Sequence, residues 1–306
     1  MSRPNVSDQR KSEILNAARE IFSHRSFESV KMEELKVSGS WLVGIQNLVK
    51  RTEDQRVVAI IQARMGSTRL PGKTLTEICG KPLLQHIIER IQHCEFIDEI
   101  VVATTENKED YAIIKLSDKL GVKSFTGSEN DVLDRFYQCA KKFDADIVVR
   151  VTADDPFKDP DVIDRAVKEL ISDKGLDYVS NTIKPTYPEG IDIEVFAFKA
   201  LERTWKDAEK ISEREHVTPY IWNHPEIFKI SNFENNVNLS DLRWTLDTPQ
   251  DLEFTRDIYK RLYSADSIFF MNDILELLRK EPWLASINTG IERNTGYKKS
   301  LLEDNK

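Results

Sequence analysis

The sequence predicts an α/β fold, a mostly parallel sheet with helices on both faces, preceded by a helical N-terminal extension. Three observations predict it. From Val57 onward, short apolar runs alternate with helical patterns, as in chains of βαβ units. Polar or glycine-bearing segments follow several of those runs directly, where open α/β sheets place their ligands. Residues 1–55 show helical periodicity alone. The 306 residues suit one α/β domain of roughly 200–250 residues with an appendage, so the boundary is set between residues 55 and 56.

Composition narrows the class. With 31% charged residues of both signs and 40% hydrophobic ones, the chain has the balance of a soluble globular protein. No stretch approaches the ~20 apolar residues of a spanning helix, and the start Met-Ser-Arg-Pro-Asn lacks the apolar core of a signal peptide. A cytoplasmic protein without membrane contact is expected. Cys79, Cys94 and Cys139 lie far apart, which supports neither a disulfide framework nor a zinc site. A net charge of −8 argues against a general nucleic-acid binder and favours a small-molecule substrate.

In the extension, residues 11–24 read as an amphipathic helix with Ile14, Leu15, Ala18, Ile21 and Phe22 on one face. Residues 28–36 and 41–49 offer two more helices, and 50–56 a polar linker. The run from Ile14 to Phe22, with Phe27-Glu28-Ser29-Val30, resembles the first helix of tetracycline-repressor-type DNA-binding domains. The resemblance ends there, because Val37-Ser38-Gly39-Ser40-Trp41-Leu42-Val43 lacks the turn and recognition-helix pattern. Nine Lys/Arg against eight Asp/Glu in this segment make no basic surface. A docking or dimerising helical extension is the preferred reading, with a DNA-binding regulator as the alternative, and a homodimer is a separate candidate assembly.

Beyond the linker, residues 57–61 read as a buried strand, 82–94 as a helix with Leu83, Leu84, Ile87, Ile88 and Ile91 inward, and 99–104 as a strand. A helix at 131–143, a strand at 146–151, a helix at 161–171 and a strand at 177–180 continue the alternation.

The loop after the first strand carries the densest signal: Gln62-Ala63-Arg64-Met65-Gly66-Ser67-Thr68-Arg69-Leu70-Pro71-Gly72-Lys73. Glycines let the backbone approach a polyphosphate while the three cations neutralise its oxygens. The order is neither that of a Walker A loop nor Gly-x-Gly-x-x-Gly. This run, continued by Leu75 to Leu84 with Gly80-Lys81-Pro82, resembles the signature of the sugar-activating cytidylyltransferases, the superfamily of CMP-KDO synthetase and acylneuraminate cytidylyltransferase. Over about residues 56–302 the chain is similar above all to the spore-coat polysaccharide biosynthesis type. The resemblance implies a Rossmann-like, GT-A-like nucleotidyltransferase sheet, CTP as substrate and Mg²⁺ as cofactor. It places Gln62, Ala63, Arg64, Gly66, Ser67, Thr68, Arg69 and Lys73 on the nucleotide, with Arg64 and Lys73 stabilising charge on the α-phosphate as pyrophosphate leaves.

Mg²⁺ takes one or two protein carboxylates along with phosphate oxygens and waters. Asp154, in Val151-Thr152-Ala153-Asp154-Asp155-Pro156, falls on the Asp of the family's Gly-Asp-x-Pro motif, with Ala153 in place of glycine. Asp247, in Arg243-Trp244-Thr245-Leu246-Asp247-Thr248-Pro249-Gln250-Asp251-Leu252, matches the Asp-x-Pro-x-Asp-Leu segment and supplies the second carboxylate. Asp155 suits a turn or cap as well as a metal, and Asp251 suits the first turn of a helix opened by Pro249.

For the acceptor, residues 188–196 alternate like a half-buried strand that puts Asp192 and Glu194 on one face, with Glu189 nearby. The run 212–220, Ser-Glu-Arg-Glu-His-Val-Thr-Pro-Tyr, reads as a helix start in which Arg214 and His216 could grip an anionic, sugar-like acceptor. Asn181 and Arg150 are further candidates there. Arg135 near the nucleotide and Thr104 near the base complete the set, while Asp131 alone suits a helix cap. The expected reaction is transfer of CMP to a sugar acid or a sugar or alditol phosphate, in surface polysaccharide or glycoconjugate precursor synthesis. The enzymatic alternative is a glycosyltransferase using a nucleotide sugar.

Overall fold

The computed structural model describes residues 55–67 and 69–304. Apart from Gln55, the extension expected over residues 1–55 lies outside them, and so does Thr68.

Strand β1 (Val57–Gln62) leads through a loop and a small antiparallel hairpin, β2 (Glu77–Ile78) with β3 (Lys81–Pro82), into helix α1 (Leu83–Ile91). There follow β4 (Glu99–Thr105), α2 (Tyr111–Lys119), β5 (Lys123–Gly127), α3 (Val132–Lys142), β6 (Ile147–Thr152), α4 (Pro160–Ser172) and β7 (Tyr178–Ser180). The rest comprises β8 (Glu194–Ala197), α5 (Phe198–Asp207), α6 (Ile211–His216), α7 (Pro219–Asn223), β9 (Ile230–Asn232), α8 (Pro249–Leu262), α9 (Met271–Lys280) and α10 (Thr295–Glu303). Seven strands form one sheet in the order β5-β4-β1-β6-β8-β7-β9. All run parallel except β8, which pairs antiparallel with both β6 and β7. The expected mostly parallel sheet is present.

Strand β1 is apolar from Val57 to Ile61 because both of its faces are covered. Val57, Ala59 and Ile61 enter one core with Leu83, Leu84, Ile87, Ile88 and Ile91 of α1 and Val162, Ile163, Ala166 and Val167 of α4. Val58 and Ile60 enter the other, against Val132, Leu133, Phe136 and Cys139 of α3. Burying each such large side chain contributes about 1.5–3 kcal/mol. The central strands are thus clamped from both faces, and their polar ends at Gln62 and Thr152, paired in register, open where the cores stop.

Two local expectations are corrected. The strand expected over residues 188–196 begins only at Glu194. Gly190 holds φ at 103°, and a Cβ there would lie 2.7 Å from Thr245 N and Trp244 C. This close approach, with a bridge between Glu189 and Arg243, bends the chain, and Asp192 reaches its place from a loop. The helix start expected over 212–220 is two helices. Val217 is buried at φ 72°, a costly conformation for a β-branched residue. It ends α6 after His216, and Pro219 opens α7.

Gly190→Ala forces a Cβ into backbone and into a φ that alanine resists. A loss of roughly 2–4 kcal/mol in urea denaturation is expected.

Candidate active site

The loop after β1 is shaped by its own backbone. Met65 N donates to Asp110 Oδ1 at 2.7 Å, Thr74 Oγ1 donates to Arg64 O at 2.9 Å, and Gly72 turns the chain at φ 71°. It rims a cavity of about 670 Å³ at the carboxyl ends of β1 and β6.

Lys73 is the centre of the site. Its ammonium donates to Asp154 Oδ2 and Asp247 Oδ1, each at 2.7 Å, and to the Leu246 carbonyl at 3.2 Å. The two carboxylates meet because their backbones are laced together: Leu246 N donates to Asp154 O at 2.8 Å, and Ala153 N to Gln62 O at 3.1 Å. Burial works to raise the Asp154 pKa, yet the Lys73 charge and hydrogen bond pull it down to about 2. Burial likewise works against the Lys73 ammonium, and the two carboxylates overcome it and raise its pKa. Arg69 pairs with Asp247 at 2.9 Å and donates to Thr295 Oγ1 at 2.9 Å.

Arg243 organises the next layer. It pairs with Glu189 at 2.7 Å and Asp251 at 2.9 Å and lies 3.5 Å from Asp247. Asp251 sits in the first turn of α8 in a capping box with Thr248, as the Pro249-led start predicts, and also accepts from Asn288 at 2.9 Å. Burial, against the pull of Arg243, pushes the Glu189 carboxyl up to about 7.

On the far side, Glu194 accepts from Arg150, Tyr178 and Thr218, and Asp192 pairs with Arg293. His216 lies 3.0 Å from Ser300 Oγ with Tyr297 at its ring edge. Burial first, and then the Arg150 charge, press its pKa from 6.5 down to about 4.

Gln62, Ala63, Arg64, Gly66, Ser67, Arg69, Lys73, Arg135, Asp154, Glu189, Asp192, Glu194, His216 and Asp247 all line the one cavity. Three expected residues do not. Thr104 is fully buried within β4. Asn181 is spent on the backbone, donating to Ile191 O at 3.0 Å and accepting from Ile193 N at 2.9 Å. Arg214 forks onto Asp131, at 3.0 Å through Nε and 2.5 Å through Nη2, and Asp131 caps α3. Lys158, Arg243, Arg293, Thr295 and Tyr297 line the cavity without having been expected there. Arg243 stands four residues before Asp247, whereas the residues beyond 292 carry no chemical pattern in the sequence that points to a site.

Four residues of the lining hold a buried polar atom that lacks a partner among the described residues: Gln62 Oε1, Arg135 Nε, Arg150 Nε and Arg293 Nη1. Natural folds rarely leave such atoms unsatisfied, and water or a polar ligand within the cavity would satisfy them. The described residues contain no cluster of three or more metal-ligating side chains. The Asp154–Asp247 pair nonetheless already shares one cation, and it fits a hard divalent ion that completes its shell with phosphate oxygens and water.

Arg214→Ala is expected to cost about 1–3 kcal/mol in chemical denaturation, through loss of charge-assisted bonds, and to leave nucleotide affinity unchanged. Below pH 6.5 the unfolded chain takes up a proton that folded His216 refuses until about pH 4. The His216 contribution is therefore complete above that window and lost as pH falls through it. His216→Gln is expected to flatten this acid-side loss when stability is followed by urea titration across the window.

The cytidylyltransferase family model matches residues 58–275. An uncharacterised protein of Methanocaldococcus jannaschii is 38% identical over 246 residues, 78% of this chain and 97% of its own. The spore coat polysaccharide biosynthesis protein SpsF of Bacillus subtilis is 32% identical over 233 residues, 74% of this chain and 95% of its own. Among solved structures, a cytidylyltransferase of Leptospira borgpetersenii is 33% identical with a TM-score of 0.74, and the match covers 78% of this chain and all of that one. The chain belongs to the cytidylyltransferase family.

Proposed function

We propose that the protein transfers CMP from CTP to a sugar acid or a sugar or alditol phosphate, releasing pyrophosphate, in the synthesis of a surface polysaccharide or related precursor. One observation carries the reading. Three cations from a single loop, Arg64, Arg69 and Lys73, face the same cavity as two carboxylates that converge on one point 2.7 Å from each. A triphosphate with its divalent ion needs both sets. Family membership supports the cytidine nucleotide, and the name of the SpsF relative supports the polysaccharide setting.

On this reading Arg64, Arg69 and Lys73 bind the phosphates and neutralise charge that grows on the α- and β-phosphates as pyrophosphate departs. Asp154 and Asp247 would hold Mg²⁺, which supplies Lewis-acid polarisation of the phosphates. Arg243 orients Asp247 from behind, through Asp251. The acceptor enters on the side of Glu189, Asp192 and His216. The Glu189 oxygen that Arg243 does not hold is placed to take a proton from an acceptor hydroxyl, and its raised pKa suits that task. No helix among the described residues is long and apolar enough to cross a membrane.

CTP incubated with Mg²⁺ and a panel of sugar acids and sugar phosphates should yield pyrophosphate with at least one member. Asp154→Ala and Lys73→Ala should each lower that rate by about a thousandfold or more. Absence of turnover across the panel, together with absence of CTP binding in calorimetry, would sink the assignment.

A further inference from the structure

The two carboxylates assigned to a metal are already compensated by the cations assigned to the triphosphate. Lys73 Nζ lies 2.7 Å from both Asp154 and Asp247 and 3.2 Å from the Leu246 carbonyl. Three oxygens from two chain segments thus surround one cationic atom whose side chain is only 12% exposed. Arg69 holds the other oxygen of Asp247 at 2.9 Å, with Arg243 3.5 Å from that same atom.

We propose that Lys73, assisted by Arg69, is a placeholder for the divalent cation, so that metal is admitted only when a triphosphate draws these side chains away. The proposal rests on the reading of Asp154 and Asp247 as the metal-holding pair. Charge decides it. A bare divalent ion must expel the ammonium from between the carboxylates and leave it beside two new positive charges, without a partner. A bare triphosphate that takes Lys73 leaves Asp154 and Asp247 uncompensated next to a polyanion. When both arrive, the carboxylates pass to the metal, the ammonium and guanidinium pass to the phosphates, and every charge keeps a partner. In a partly buried site such unpaired charges are costly. Metal and nucleotide therefore promote each other's binding, and the coupling is reciprocal.

The test is Mn²⁺ binding without nucleotide, read by electron paramagnetic resonance and by thermal melting, on the full chain and on Lys73→Met and Arg69→Gln. Lys73→Met is expected to bind Mn²⁺ at least about tenfold more tightly than the unsubstituted protein and to melt higher when Mn²⁺ is added. Arg69→Gln, at a side chain 46% exposed, should show the same change in smaller measure. It keeps the test decisive should Lys73→Met fail to fold. Adding Asp247→Asn to either variant should remove the gain. Equal or weaker Mn²⁺ binding by the folded variants overturns the proposal. If no form binds Mn²⁺ even with CTP present, the metal-holding reading itself falls and takes the placeholder with it. That outcome is distinct from metal binding that is indifferent to Lys73.

Discussion

The ion pairs from Lys73 to Asp154 and Asp247 are the constraint on which the rest of the site depends. They join three stretches of chain: the loop after β1, the end of β6 and the residues leading into α8. Removing one partner from such a cluster leaves a buried charge uncompensated, which costs more than the pair contributes. Much of the surrounding structure keeps the three stretches in place. The backbone bond from Leu246 to Asp154 fixes their spacing, and Arg243 holds Asp247 against Asp251 at the capped start of α8. The close approach of Gly190 to Trp244 and Thr245 brings Glu189 to the same arginine.

The fold explains why this cluster forms where it does. Strands β1 and β6 pair in register as far as Gln62 and Thr152, and their apolar residues are consumed by the two cores. Polar side chains appear where that packing ends. Each chain must turn there, and the turns bring backbone groups and charges to one rim. The partnerless polar atoms of Gln62, Arg135, Arg150 and Arg293 gather around that cavity, so its lining is polar beyond what the protein itself can satisfy.

On the proposed reading, the nucleotide half was legible in the sequence because its residues are dense and local. Glycines, arginines and a lysine between an apolar strand and a helix can be read for phosphate binding without knowing any contact, and Arg64, Gly66, Arg69 and Lys73 of that loop line the cavity. On the same reading, Asp154 and Asp247 were legible through motif resemblance. The acceptor half was only partly legible. Asp192 and Glu194 were placed on one strand face by alternation, yet Gly190 breaks that strand, and a positive φ imposed by contact with a distant segment leaves no local trace. Arg214 and Asn181 have the chemistry of ligand-binding residues, but their bonds go to Asp131 and to the backbone at residues 191 and 193. Such partners are set by tertiary distance. The same holds for Arg293 and Tyr297, which reach the cavity from a segment about a hundred residues beyond Asp192.

The two halves of the cavity are also held by different means. The Lys73 side rests on backbone bonds and on a charge cluster in which a change at one member alters the charge balance of the others. The other side is completed by residues 293–297, beyond the stretch that the family model matches, and that segment is tied down through side chains. Arg69 bonds to Thr295, Arg293 to Asp192, and Ser300 to Glu215 and His216. Most of these side-chain ties can be exchanged one at a time with local consequences, whereas a change in the Lys73 cluster shifts the charge balance of every member. On the proposed reading, the chemistry of nucleotide transfer is therefore fixed by the fold, and the choice of acceptor is left to the replaceable contacts around His216, Arg293 and Tyr297. Of these ties only the one through Arg69 crosses between the halves. It joins the acceptor wall to the same carboxylate, Asp247, that holds Lys73.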